Sequence, residues 1–124
     1  MTDSNIPPCV EQYFDGLFRG DVTTLRAAFH PRARLTGVVG GRPYERDLDS
    51  YLAVVAERMS PAERGEKRRM TIEQIVISGQ VGHVRARVGI FGTEYVDFLS
   101  LVRHDERWVI IHKNFTDVDP SKED

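Results

Sequence analysis

The last third of the chain most narrows what it can fold into. Residues 81–90, 95–103 and 108–115 read as three successive strands joined by tight turns, with helix-like segments before them. Helices followed by a long antiparallel meander predict an α+β domain. Asp97, His112, Lys113 and Asn114 stand inside these otherwise apolar runs. A polar side chain buried there needs a partner or a cavity to face, so the pattern predicts a pocket.

A chain of 124 residues is long enough for one core and one domain. The expected domain spans residues 1–124, with an ordered core over about 6–117 and an acidic, disordered tail over 118–124. Seventeen basic side chains against nineteen acidic ones give a formal charge of −2, which predicts no nucleic-acid partner. The one basic run, residues 64–69 with Glu66 inside it, reads as a solvated loop and strand start. Cys9 is the only cysteine, which excludes an intrachain disulfide and a cysteine-based zinc cluster. The N-terminus lacks a basic segment followed by an apolar one, and no apolar run approaches the ~18 residues that span a bilayer. The expectation is a cytoplasmic protein with no membrane partner.

Along the chain, Val10, Tyr13, Phe14, Leu17 and Phe18 recur at helical spacing over residues 8–19, with Gly20 at the end. Asp21 is placed to cap a short second helix over residues 22–29, which His30-Pro31 stops. Residues 33–39 read as a first strand, Gly40-Gly41 as its turn, and Pro43-Tyr44 as a short edge segment. Asp47 caps a third helix whose stripe is Leu48, Tyr51, Leu52, Val55, Ala56 and Met59. Ser60-Pro61-Ala62-Glu63 has the form of a capping box and predicts a short helical turn. Met70 and Ile72 alternate out of step with Ile75 and Ile77, which predicts a β-bulge near Glu73-Gln74.

Asp97 is the sharpest candidate for acid–base chemistry, because Val96, Phe98, Leu99 and Leu101 around it disfavour a solvated, charged carboxyl. The structural alternative is a cross-strand bridge to Arg85, Arg87 or Lys113. His30 sits at a helix end, where an imidazole suits the dipole and the last carbonyls, or else serves as a pocket base. On the last strand, taking Trp108 as concave brings His112 and Asn114 to the pocket and sends Lys113 to the outer surface. Tyr13 and Tyr51 lie at core spacing, yet a phenol facing a carboxylate is also a donor arrangement for polarising a carbonyl. Four scattered histidines and one cysteine, in no ligand spacing, predict no metal site. Gly40-Gly41 lacks the strand-to-helix context of a phosphate loop.

Four segments carry a family resemblance: residues 13–17 (Tyr-Phe-Asp-Gly-Leu), 29–35 around Phe29-His30-Pro31, 95–101 around Asp97, and 108–116 from Trp108 to Thr116. With their spacing they cover about residues 8–117, and the chain resembles the nuclear transport factor 2-like (SnoaL-like) superfamily, closest to the branch labelled lumazine-binding. The resemblance implies a conical α+β barrel in which three N-terminal helices, interrupted by one hairpin, pack on a curved, mostly antiparallel sheet. It further implies a pocket between helices and sheet, and a homodimer built through the outer sheet face. Members of the fold include isomerases, dehydratases, cyclases and binding domains, so fold alone does not assign an activity.

Three readings follow. The first is a homodimeric domain binding an unidentified small molecule in a partly apolar pocket lined by Tyr13, Phe14, Leu17, Phe29 and Tyr51, with Val55 and Asn114 beside Asp97 and His112. The second is a cofactor-free lyase or isomerase acting on a cyclic ketone or enol, with Asp97 or His30 moving a proton and Tyr13 or His112 donating to the oxygen. The third is an interaction module whose doubly apolar strand over residues 95–102 serves association, with the cavity filled by side chains.

Overall fold

The computed structural model describes residues 5–122. Pro7 and Pro8 stand in the first turn of α1 (Ile6–Arg19), where a missing N–H breaks no helical bond. The stripe of Val10, Tyr13, Phe14 and Leu17 is fully buried. Gly20 ends the helix in the left-handed region, with φ 68°, and its N–H returns to the Gly16 carbonyl. Asp21 then caps α2 (Val22–Ala27), its carboxylate accepting from the Thr24 N–H at 3.1 Å. Gly16 sits where α1 meets α2: a Cβ there would lie 2.9 Å from the Leu25 backbone.

The second helix is shorter than expected, because Phe29 already begins β1 (Phe29–Val39). β1 turns at Gly40-Gly41 into β2 (Arg42–Asp47), and Asp47 caps α3 (Leu48–Glu57) by accepting from the Ser50 N–H at 2.8 Å. The capping box forms reciprocally: the Ser60 N–H donates to Glu63 Oε1 at 3.0 Å and the Glu63 N–H to Ser60 Oγ at 3.1 Å. It closes a series of turns over residues 61–65 rather than a helix. The Ala62 N–H also reaches the Phe18 carbonyl at 3.0 Å and so ties this loop to the end of α1.

Four long strands complete the chain: β3 (Arg69–Ser78), β4 (Val81–Ile90), β5 (Thr93–His104) and β6 (Arg107–Val118). They join the hairpin in one six-stranded sheet of order β2-β1-β6-β5-β4-β3, antiparallel except where β1 runs parallel to β6. The register of β3 against β4 shifts between Ile72 and Gln74, the bulge that the broken alternation predicts. It lets Met70, Ile72, Ile75 and Ile77 all face the helices, packed against the core. The result is an α+β fold with three helices on one face of a curved, mostly antiparallel sheet.

The core runs from Ile6 and Trp108 through Phe14, Phe29 and Leu101 to Tyr51 and Leu35. At the other end of the sequence the strand runs one residue past the expected core, to Val118, and Asp117 Oδ1 accepts from the Gly40 N–H at 3.1 Å. Asp119 then accepts from Ser121 in a local turn. Glu123 and Asp124, the last of the expected tail, lie outside the described residues, as do residues 1–4. No helix among the described residues is long and apolar enough to cross a membrane.

Candidate functional site

The chemistry of the concave face is set by one residue on β6. Leu101 pairs with Ile110 and Ser100 with His112, so Ile111 has no partner across the ladder and the strand bulges there. Trp108 and Ile110 point inward, as expected, but beyond the bulge the inward set becomes Lys113 and Phe115. Lys113 is 5% exposed, whereas Asn114 is exposed on the opposite face. The expected placement of His112 and Asn114 in the pocket, with Lys113 outside, is therefore reversed. The physical reason is that a side-chain period of two inverts at every inserted residue.

A cavity of about 170 Å³ lies between the end of α3 and the concave sheet, next to the β4–β5 turn. Leu17, Tyr51, Val54 and Arg58 wall it from the helical layer and the loop after α3. Tyr44 and Arg46 from β2, and Lys113 and Phe115 from β6, form one side of the sheet wall. Val88 and Ile90 from β4, with Tyr95 and Asp97 from β5, form the other, and Phe91 lies in the turn between those strands. The Tyr44 and Phe115 rings meet edge to face at 5.0 Å, and Tyr95 lies 6.0 Å from Phe115.

Asp97 is 1% exposed and accepts a hydrogen bond from the Tyr13 hydroxyl on α1. The expected cross-strand bridge to arginine does not form, because Arg85 and Arg87 lie on the outer face and both donate to Glu73, at 2.8 and 3.0 Å. Burial and the neighbouring Asp97 carboxylate push the Tyr13 phenol well above its ordinary pKa, so it remains a donor. Lys113 stands among aromatic rings, its Nζ 5.2 Å from the centre of Tyr13, 4.9 Å from Tyr51 and 4.5 Å from Phe115. It donates to the Tyr51 hydroxyl at 3.3 Å. Burial alone would lower the Lys113 pKa, but Tyr51 and Asp97 more than offset this and the net shift is upward, so the ammonium stays charged.

Two arginines complete the wall. Arg58 is the residue at which α3 ends and the chain turns extended, with φ −91° and ψ 156°. Its guanidinium lies 4.8 Å from the centre of the Phe91 ring, and its Nε is buried with no hydrogen-bond partner among the described residues. Arg46 lies 5.5 Å from the Tyr44 ring and donates to Ser50 Oγ at 2.8 Å. Phe91 itself holds φ 54°, a left-handed backbone that disfavours a bulky residue. Its N–H donates to Glu66 Oε1 at 3.0 Å.

Of the residues expected at the site, Leu17, Tyr51 and Asp97 line the cavity, and Tyr13 stands directly behind Asp97. Phe14, Phe29 and Val55 are buried core and are not among the lining residues, because the tight end of the structure is filled by side chains. His30 lies at the start of β1, away from the cavity; its Nδ1 accepts from the Arg32 N–H at 3.0 Å and its ring meets His104 edge-on at 4.9 Å. His112 is on the outer face, its Nε2 2.9 Å from Thr36 Oγ1. That hydroxyl gives its single proton to Asn114 Oδ1 at 3.1 Å, which makes His112 the donor.

The residues missed from sequence are chiefly the cations and the rim aromatics: Lys113, Arg46, Arg58, Tyr44, Phe91, Tyr95 and Phe115. One signal for Lys113 was available. Trp108 and Phe115 are an odd number of residues apart, so both can be buried against one layer only if the strand contains a bulge. Among the described residues no group of three or more His, Cys, Asp or Glu side chains is placed to hold a metal ion.

No functionally curated protein matches this sequence. An NTF2-like protein of unknown function from Silicibacter pomeroyi DSS-3 superposes with TM-score 0.84 at 22% identity, covering 93% of this chain and 94% of its own. One from Shewanella baltica OS155 gives TM-score 0.84 at 21% identity over 96% of this chain and 99% of its own. A ketosteroid isomerase-like protein from Erwinia carotovora atroseptica SCRI1043 gives TM-score 0.70 at 14% identity, covering 94% and 96%. At these identities the likeness is one of fold. The family model described as "Putative lumazine-binding" matches residues 2–116, and the chain belongs to that family.

Proposed function

We propose that this chain is a small-molecule-binding domain, a conical barrel whose ligand occupies the cavity between α3 and the concave sheet. The observation that carries the reading is the wall of that cavity: aromatic and aliphatic side chains with buried polar groups, Asp97 and Lys113, set among them. Ligand sites combine an apolar enclosure with a few placed polar groups in this manner. The domain works as a homodimer through the outer sheet face, which leaves the cavity of each copy intact.

The test is a fragment screen by heteronuclear NMR on natively purified protein, with mass spectrometry of any extracted small molecule. Shifts confined to Lys113, Phe115, Tyr95 and their cavity neighbours support the reading. A ring-bearing fragment set that perturbs no cavity residue overturns it.

The Tyr13–Asp97 pair favours a second reading, acid–base chemistry on a bound ketone or enol without a cofactor. A carboxylate in the cavity wall can take a proton while its other partner holds it in place. Proton exchange of a ketone probe into deuterated solvent, lost in Asp97→Asn, is the outcome this reading expects. Equal exchange by the wild type and the variant removes it.

A further inference from the structure

Three cationic side chains, Lys113, Arg46 and Arg58, line the cavity, against one carboxylate, Asp97. The chain as a whole carries a formal charge of −2, so this local excess is not a consequence of composition. None of the three cations lies in an ion pair with a carboxylate among the described residues: Lys113 has the Tyr51 hydroxyl, Arg46 the Ser50 hydroxyl, and the Arg58 Nε has no hydrogen-bond partner there. Elsewhere the same fold pairs its arginines closely, as in Arg85 and Arg87 with Glu73 and Arg68 with Glu11. Cations held together in a half-enclosed, low-dielectric space repel one another and attract an anion.

Size and shape narrow the anion. A cavity near ~150 Å³ accepts a single benzene-sized ring, and this one is about 170 Å³. Its remaining wall is built of flat or branched apolar groups, Phe91, Phe115, Tyr95, Val88 and Ile90. We infer that the ligand is a ring-sized organic anion, its carboxylate or enolate oxygen directed at Arg58, Arg46 and Lys113 and its ring against Phe115 and Phe91. This rests on the binding function proposed above and assigns the chemical class of the ligand.

Benzoate, benzamide and benzamidinium share one ring and nearly one shape but carry negative, zero and positive charge. Their affinities are measured by calorimetry on the wild type and on Arg58→Gln, Arg46→Gln and Asp97→Asn, each first checked for an unchanged thermal midpoint without probe. Benzoate is expected to bind about tenfold or more tighter than benzamide, a charge-assisted margin of about 1.4 kcal/mol, and benzamidinium not to bind. Each Arg→Gln change lowers benzoate affinity severalfold more than benzamide affinity, so the benzoate-to-benzamide ratio falls, while Asp97→Asn raises benzoate affinity by removing the one opposing charge. If benzamide binds as well as benzoate, or benzamidinium binds best, the cavity is a binding site without anion selection: the inference fails and the binding function stands. If none of the probes binds at millimolar concentration, both fail together.

Discussion

Tyr13 on α1 and Asp97 on β5, separated by 84 residues in sequence, share a hydrogen bond in the interior between the helical layer and the sheet. The phenol is the partner that makes burial of the carboxylate tolerable. Tyr13→Phe removes the donor and leaves the ring, so Asp97 is buried with its solvation lost; the expected cost is about 1–3 kcal/mol. Urea denaturation measures it. Tyr13→Phe combined with Asp97→Asn recovers part of the loss, since a neutral amide is easier to bury than an unpaired carboxylate.

The same pair gives the protein an alkaline limit. In the folded state Tyr13 keeps its proton well above its ordinary value of 10.0, and Lys113 is likewise raised from 10.5. Above those values the unfolded chain has released protons that the folded one still binds, so stability is complete below about pH 10 and falls as the pH rises further. Stability measured against pH in this range falls less steeply for Tyr13→Phe than for the wild type. Equal slopes would show that Tyr13 does not titrate out of a stabilised state.

An acid limit lies on the outer face. Hydrogen bonds from Arg87 and Arg85 hold Glu73 below its ordinary value of 4.5. As the pH drops through that region the unfolded chain takes up a proton before the folded one does, so the contribution is present above 4.5 and lost below it. Glu63 and Asp21 act in the same sense through Ser60 and Thr24. Glu73→Gln flattens the acid limb of the stability curve, and an unaltered limb would exclude this role.

Cys9 is buried in α1, and burial pushes its thiol up to about 11. Thiolate is the reactive form. At pH 8 an aromatic disulfide reagent should therefore modify the native protein far more slowly than the urea-unfolded chain. A native rate equal to the unfolded one would mean that α1 opens freely.

The outer sheet face supplies the fifth measurement. Phe98 lies there, stacked on His83 at 5.5 Å with Arg85 5.6 Å from its ring, and Val96 and Val109 are buried beneath. If that face joins two copies, light scattering gives a dimer mass for the wild type and a folded monomer for Phe98→Glu. A monomeric wild type would overturn the dimer.

Local signals carried far along this chain. The stripe of α1, that of α3 as far as Val55 (the expected members Ala56 and Met59 are exposed, Met59 lying past the helix end), the caps at Asp21 and Asp47, the turn at Gly40-Gly41 and the bulge in β3 are all properties of short windows, and each was readable from residue type and spacing. The inward side of β6 was not. In the run Trp108-Val109-Ile110-Ile111, four apolar residues in succession hide which one is unpaired, and only the register against β5 decides it. Asp97 was found because it is a lone acid in an apolar strand. Arg46 and Arg58 were not, because one lies near the end of an edge hairpin and the other follows a helix, and their place with Lys113 in one cavity wall is produced by tertiary packing alone.

Phe91 shows where this molecule tolerates discomfort. A two-residue hairpin loop with positive φ at both positions suits Asn-Gly; Gly92 adopts φ 76° without strain, whereas Phe91 holds φ 54° despite its bulk. A bulky side chain in that conformation costs on the order of 1–3 kcal/mol. A lineage shaped by stability alone would drift toward glycine or asparagine here. That an aromatic ring occupies the position, against the Arg58 guanidinium and at the cavity rim, sets a floor under what the ring contributes there, and marks the turn as the place where making the protein sturdier would make its pocket a different one.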